Sequence, residues 1–212
     1  MEYITVALAK GRLADTAVDY FEKIGSDMSD IRNKGRKLIF KDDNLALKFV
    51  LVKAGDVPTY VEHGAADIGI VGKDTLLEEN RNLYEMLDLK FGACKMAVAG
   101  PEKIRDSWKS ITDLRVASKY PEIAKEYFEN VKGQKIETIK LSGSVELAPL
   151  VGLSDVIVDI VESGKTLVAN NLCVFEDVCP LSARLVVNRI SIKVHRQRIM
   201  DIVQKFSEEI NK

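Results

Sequence analysis

The residues best equipped for chemistry lie in one stretch, Asp155-Val-Ile-Val-Asp-Ile-Val-Glu-Ser-Gly-Lys-Thr-Leu167. An apolar strand ends at Glu162, and Ser163-Gly164-Lys165-Thr166 opens a short helix through Leu167 to Asn170. Such a junction presents free backbone N–H groups at a helix amino end, where the dipole favours an anion. Gly164 permits close backbone approach, Ser163 and Thr166 add hydroxyls, and Lys165 adds positive charge, so a terminal phosphate suits this nest. The Gly-Lys-Thr triplet also invites comparison with a Walker A loop. That motif needs a glycine five residues before Gly164, and the position holds Asp159. Asp159 on the strand and Glu162 at its end suit a ribose instead, accepting from its 2′ and 3′ hydroxyls while the loop holds the 5′-phosphate. An ordinary helix start, with Ser163 as N-cap, is the alternative reading.

These residues need a scaffold, and the pattern around them is that of an α/β protein with a mostly parallel sheet. Strands are expected at residues 3–9, 37–41, 45–53, 66–71, 114–117, 136–141 and 155–161. Helices are expected at 13–24, 56–63 (with Pro58 in the first turn), 73–79, 121–131 and 145–150. Two long β-rich runs, 91–99 and 172–187 (the second broken by Pro180), read as crossings between two α/β lobes. That division places residues 1–90 with 179–212 in one lobe and 91–178 in the other, with a ligand cleft between them at the carboxyl ends of strands. A closing helix carries Ile192, His195, Ile199, Ile202, Val203, Phe206 and Ile210 on one stripe.

Composition narrows the function. The 212 residues can bury a proper core, and a formal net charge of −1 with mixed signs along the chain speaks against nucleic acid or a membrane surface as partner. No signal peptide and no span of roughly 20 apolar residues is expected. Cys94, Cys173 and Cys179 read as reduced thiols of a cytoplasmic protein. With only His63 and His195 beside them, a zinc centre is not expected. His63 reads as a helix-end charge, His195 as a packed histidine and Trp108 as a packing or surface residue.

The loop resembles the phosphoribosyl-pyrophosphate loop of the ATP phosphoribosyltransferases, and six further segments fall in that family's order. They are Leu8-Ala-Lys-Gly-Arg-Leu13, Arg36-Lys-Leu38, Asp56-Val-Pro58, Gly64-Ala-Ala-Asp-Ile-Gly-Ile-Val-Gly72, Ala117-Ser-Lys-Tyr-Pro121 and Leu141-Ser-Gly-Ser-Val-Glu-Leu-Ala-Pro149. The resemblance implies a two-lobed α/β fold like that of type II periplasmic binding proteins. It implies a glycosyltransferase that joins ATP to phosphoribosyl pyrophosphate at the first step of histidine biosynthesis, with Mg2+ on the pyrophosphate and no protein ligand assigned to the metal.

By the same resemblance, Asp159, Glu162, Ser163, Gly164, Lys165, Thr166, Leu167 and Glu146 bind the sugar donor. Helix capping is the alternative for Glu146. Lys10, Gly11 and Arg12 bind ATP, as does Asp67 unless it only satisfies backbone at a strand start. Arg36 and Lys53 stabilise the leaving group, with a solvated surface charge as the alternative for each cation. Two departures stand out: Ser163 replaces the commoner threonine, and Lys53 replaces an arginine, losing the bidentate fork. The length resembles the short form, which implies a hetero-octamer with a regulatory subunit similar to histidyl-tRNA synthetase, and a homodimer alone. A solute-binding module would share the layout but not the Glu-Ser-Gly-Lys-Thr loop. A type I phosphoribosyltransferase would carry adjacent acidic residues, whereas Asp159 and Glu162 are separated by two apolar ones.

Overall fold

The computed structural model describes residues 2–33 and 35–212. Two compact units emerge, Met1–Gly92 with Ser182–Lys212, and Ala93–Leu181.

In the first unit, β1 (Ile4–Ala9) leads through Gly11 into α1 (Arg12–Lys23) and the short α2 (Ser29–Arg32). β2 (Ile39–Asp42), β3 (Leu47–Val52), α3 (Val57–Glu62), β4 (Ile68–Gly72), α4 (Lys73–Glu79) and β5 (Tyr84–Asp88) follow. β1 is flanked by β3 and β4 in parallel. Every residue of β1 and β4 is buried, which is why both read as uninterrupted apolar runs. α1 lays Ala14, Ala17, Val18 and Phe21 on the sheet. Phe21 meets Phe49 and Phe206 edge-on at 4.8 and 4.9 Å.

The second unit contains β6 (Cys94–Pro101), β7 (Leu114–Ser118), α5 (Pro121–Lys125) continuing as a π-helical turn (Glu126–Val131), and β8 (Ile136–Lys140). β9 (Val156–Val161), α6 (Lys165–Ala169) and β10 (Leu172–Leu181) complete it. Trp108 is buried there, stacked on Phe175 and edge-on to Phe128. The chain then re-enters the first unit as β11 (Ala183–Val187), α7 (Ser191–Val194) and α8 (Arg196–Ile210).

The sheets run β2-β3-β1-β4-β11-β5 and β10-β6-β9-β7-β8. Each has a central strand (β1 or β7) between two parallel neighbours, followed by two antiparallel strands. The first sheet adds β2, antiparallel to β3, at its edge; its other five strands repeat the strand directions of the second sheet without a repeat in the sequence.

Several local expectations are corrected. The run 172–187 breaks at Ser182, not at Pro180. β10 is an edge strand, where a residue without N–H costs no ladder bond, and it absorbs two bulges before Leu181 pairs with Cys94. The chain accordingly changes units at Ser182. The run 91–99 does not form one strand: Phe91 stacks on Tyr20 at 5.3 Å, Gly92 turns with φ 64°, and β6 begins at Cys94. The expected helix 145–150 is a 3-10 turn over Val145–Leu147, because Pro149 cannot donate to a further turn.

The closing helix is split at His195, whose Nε2 lies 3.7 Å from the Glu2 carboxylate. The Asn188 side chain sets the first turn, accepting from the Ile190 and Ser191 amides at 2.8 and 2.9 Å. β5, half-exposed at a sheet edge, carries too little alternation to be read from sequence. Among the described residues no helix is long and apolar enough to cross a membrane, and Cys94, Cys173 and Cys179 are not joined in disulfides.

Candidate active site

The glycine loop forms where β9 must turn into α6. Gly164 is the pivot, left-handed at φ 71° and ψ −2°, and it is the N-cap of the helix. The first bond of that helix runs from the Val168 amide to the Gly164 carbonyl at 3.1 Å. The amides of Lys165, Thr166 and Leu167 thus belong to the open helix end. Ser163 Oγ stands 3.5 Å from the Lys165 amide, too long to satisfy it well. Leu167 is buried and fastens α6 to the sheet, while Ser163, Lys165 and Thr166 are exposed.

The eight residues that the sequence assigns to the sugar donor line one cavity of about 300 Å³. Glu146 reaches it from the 3-10 turn, whose own start, Ser144, is left-handed. Ile160 and Val161 complete the lining. Sequence reading missed these two because an apolar strand end looks the same beside a cavity as beside a core.

Asp159 is half-buried. Burial pushes its carboxyl above the usual carboxylate range, the Ile160 amide donating at 2.9 Å opposes that, Glu146 raises it further, and Lys119 lowers it. A carboxyl so placed suits neutral hydroxyl groups, while the amides and Lys165 suit an anion.

The first unit assembles a second set. Lys10 leaves the carboxyl end of β1 and donates its amide to Val52 at 2.8 Å. Because Ala9 pairs with Val52, Lys10 and Lys53 follow adjacent parallel strands at the same end. β2 runs antiparallel to β3 with Ile39 opposite Val50, and Arg36 lies in the turn three residues before β2 begins, on the side of the hairpin where β3 ends. Gly11, at φ 108°, turns the chain so that Arg12 heads α1. Lys10, Arg36 and Lys53 are exposed, and no ion pair engages them among the described residues.

Asp67 does not join this set. It precedes β4, and β4 runs parallel to β1, so Asp67 lies at the opposite end of the strands from Lys10. Its Oδ2 accepts the Thr5 amide at 2.7 Å, and its Oδ1 accepts the Ser191 hydroxyl at 2.6 Å. Asp155 repeats the device in the other unit, accepting the Arg115 amide at 3.0 Å and donating its own amide to the Arg115 carbonyl at 2.9 Å. Both aspartates tie a strand start to its neighbour, so the nucleotide role for Asp67 gives way to the structural one. His63 likewise sits at the carboxyl end of α3, exposed, where a positive charge would complement the dipole.

A two-unit α/β chain with an open helix end beside a cavity in one unit, and exposed cations after two adjacent parallel strands in the other, has the features of a protein built for phosphorylated ligands. The family model for HisG, ATP phosphoribosyltransferase, matches residues 53–208. A relative named ATP phosphoribosyltransferase from Ruminiclostridium cellulolyticum is 55% identical, covering 100% of this chain and 99% of its own. One of the same name from Lachnospira eligens is 57% identical, covering 99% and 98%. Among solved structures, the ATP phosphoribosyl transferase (HisG:HisZ) complex from Thermotoga maritima includes a chain that is 34% identical with a TM-score of 0.82, covering 98% of this chain and 97% of that one. The chain belongs to the ATP phosphoribosyltransferase family.

Proposed function

We propose that this chain transfers the 5-phosphoribosyl group of phosphoribosyl pyrophosphate to N1 of ATP, giving N1-(5-phosphoribosyl)-ATP and pyrophosphate, the first step of histidine biosynthesis. Relatives matching the chain end to end at 55–57% identity carry that enzyme's name. The observation that carries the reading into this molecule is the cavity in which all eight donor candidates meet around the left-handed Gly164.

In the proposed reaction the adenine N1 lone pair forms the bond to ribose C1′ as the bond from C1′ to the pyrophosphate oxygen breaks, and that electron pair leaves with pyrophosphate. No enzyme nucleophile is required. Residues 163–167 hold the 5′-phosphate through amides and hydroxyls, and Asp159 and Glu162 accept from the ribose hydroxyls, with Glu146 beside them. Lys10, Gly11 and Arg12 bind the ATP phosphates. Arg36 and Lys53 meet the negative charge that builds on the leaving group, before the transition state and without reorganisation. Alignment of two bound reactants is worth on the order of 7–11 kcal/mol, and positioning is the task such a residue set can perform.

Among the described residues no three His, Cys, Asp or Glu side chains converge as a metal cage. The pyrophosphate of the substrate would itself carry Mg2+ into the site. Magnesium bound there supplies charge neutralisation on the departing oxygens. By likeness to the HisG:HisZ complex, we read the partner as a regulatory subunit similar to histidyl-tRNA synthetase, in a hetero-octamer, with a homodimer formed alone. Cysteines outside any disulfide suit a cytoplasmic enzyme.

The test is to mix the full chain with ATP, phosphoribosyl pyrophosphate and magnesium, with and without that partner, and to follow adduct absorbance and released pyrophosphate. Adduct and pyrophosphate in equal amounts are expected. Neither product under either condition would refute the reading.

A further inference from the structure

The lining of the donor cavity holds three carboxylates, Glu146, Asp159 and Glu162, against one cation, Lys165. A multiply anionic donor gains little from such a lining, because the amide cradle at one end does not neutralise carboxylates further along the wall. Asp159 has the hardest position: it is half-buried, and Glu146 is a like charge within range of it.

One cation outside the lining acts on Asp159. β7 lies beside β9 in parallel, with Ser118 opposite Val158. Lys119 follows Ser118 just past the end of β7, as Asp159 follows Val158 within β9. The turn that carries Lys119 is pinned on both sides. The buried Ser118 hydroxyl donates to the Val158 carbonyl at 2.6 Å and accepts from the Tyr120 amide at 2.8 Å, and the Ser118 carbonyl accepts the Leu141 amide at 2.9 Å. Lys119 Nζ stands 5.4 Å from the centroid of the buried Tyr120 ring, so the side chain has a floor to rest on. Of the charged neighbours that act on Asp159, Glu146 disfavours its ionised form and Lys119 favours it. Lys95 of β6 is on the same sheet face by strand alternation but is paired to Asp177 at 2.6 Å. The other unit offers a parallel, since its central strand β1 also delivers a lysine, Lys10, at its carboxyl end.

We infer that Lys119 is a positioning residue of the donor site, a cation at the end of β7 that balances the Asp159 and Glu146 carboxylates so that Asp159 receives the ribose hydroxyls. It rests on the reading of the 159–167 cavity as the donor site. Lys119 acts through Asp159, and its effect therefore depends on that carboxylate being present.

Calorimetric titration of the full chain with phosphoribosyl pyrophosphate and magnesium, and separately with ATP, tests this without requiring turnover. Lys119→Gln is expected to weaken donor binding on the order of tenfold, Lys119→Arg to restore most of it, and ATP affinity to stay within about twofold. In an Asp159→Asn background, Lys119→Gln should change donor affinity by less than about twofold, since coupled residues are not additive. Lys119 is exposed, and unchanged melting temperatures will show the variants folded. Unchanged donor affinity in Lys119→Gln, or an equal loss in both backgrounds, overturns the inference. If Thr166→Ala weakens donor binding while Lys119→Gln does not, only the role of Lys119 falls. If Thr166→Ala, Asp159→Asn and Lys119→Gln all bind the donor as the parent does, the cavity is not the donor site and both readings fall.

Discussion

Gly164→Ala isolates the backbone contribution of the anion loop. A Cβ built on Gly164 meets only Val161 Cγ1, at 3.9 Å, so alanine finds room and no clash. What it cannot do cheaply is hold φ at 71°. The left-handed conformation costs an L-residue roughly 1–2 kcal/mol, equivalent to about a 5- to 30-fold change in an equilibrium constant. That cost has two outlets. If the loop keeps its shape, the folded state bears it, and a chain of this size loses roughly 2–8 °C of melting temperature. If the loop relaxes, α6 is the element that yields, since it has five residues and no side-chain cap. The amides of Lys165 to Leu167 then lose their common direction, and KM for phosphoribosyl pyrophosphate rises by the same factor while KM for ATP does not. Gly164→Asn, with a side chain that tolerates this region, should fall between parent and alanine on both measures. Steady-state kinetics with each substrate varied, alongside thermal unfolding, reads both outlets at once. An alanine variant that melts and binds the donor as the parent does would refute the reasoning.

Arg36→Ala should lower kcat more than it raises either KM, by about tenfold or more, because its proposed partner is charge that develops as pyrophosphate departs; the opposite split would make it a ground-state binding residue. Asp67→Ala leaves the Thr5 amide and Ser191 hydroxyl without their acceptor and should cost about 1–3 kcal/mol in denaturant unfolding with ATP affinity unchanged. Lost ATP affinity at full stability would return Asp67 to the nucleotide. Gly69→Ala sets a Cβ 2.8–3.1 Å from Val61, Val57 and Val186, and should destabilise by roughly 1–3 kcal/mol.

Asp88 provides the pH prediction. Burial alone would raise its carboxyl, but the Ser182 hydroxyl, the Lys90 amide and ammonium, and Arg184 together hold it down at about 2 against 3.8 unperturbed. A depressed carboxylate stabilises above its unfolded value and stops doing so as pH falls through the folded one. Asp88→Asn should therefore cost about 2 kcal/mol at neutral pH. The gap to the parent should close between about pH 4 and pH 2 in acid unfolding curves.

The loop was legible because everything that makes it is local. A strand period gives way to Ser-Gly-Lys-Thr, the Walker glycine is missing at residue 159, and the chain can do little else there than turn and present amides. Glu146 was not local, and only the resemblance brought it to the same wall as Asp159. Asp67 marks the limit of reading by type. An aspartate ahead of Ile68-Gly-Ile-Val looks the same whether it faces a ligand or braces a strand start, and only the parallel pairing of β4 with β1 decides which end it occupies. Asp155, in the same position ahead of Val156-Ile-Val, could have served as the warning. The break at Ser182 was hidden for a related reason: Pro180 is a breaker inside a sheet but harmless on the outer edge of β10, and which strand lies at an edge is a property of the whole pairing order.

That pairing order also bears on why two units with one topology carry opposite chemistry at their strand ends. β1 and β3 are followed by Lys10 and Lys53, exposed and in no ion pair among the described residues, whereas β9 leads into a wall with two carboxylates, Asp159 and Glu162. A polyphosphate needs cations that neighbouring carboxylates have not already engaged in ion pairs, and it needs little else. A ribose phosphate needs acceptors for its hydroxyls within reach of donors for its phosphate, and those demands conflict electrostatically at close range. Backbone amides ease the conflict at the phosphate end, because they attract an anion without a formal charge, and a left-handed residue at the strand–helix junction is the geometric means of aiming them, while the carboxylates further along the wall are left to a cation such as Lys119. On the proposed reading, a glycine at residue 164 is what binding a sugar and its phosphate side by side would require.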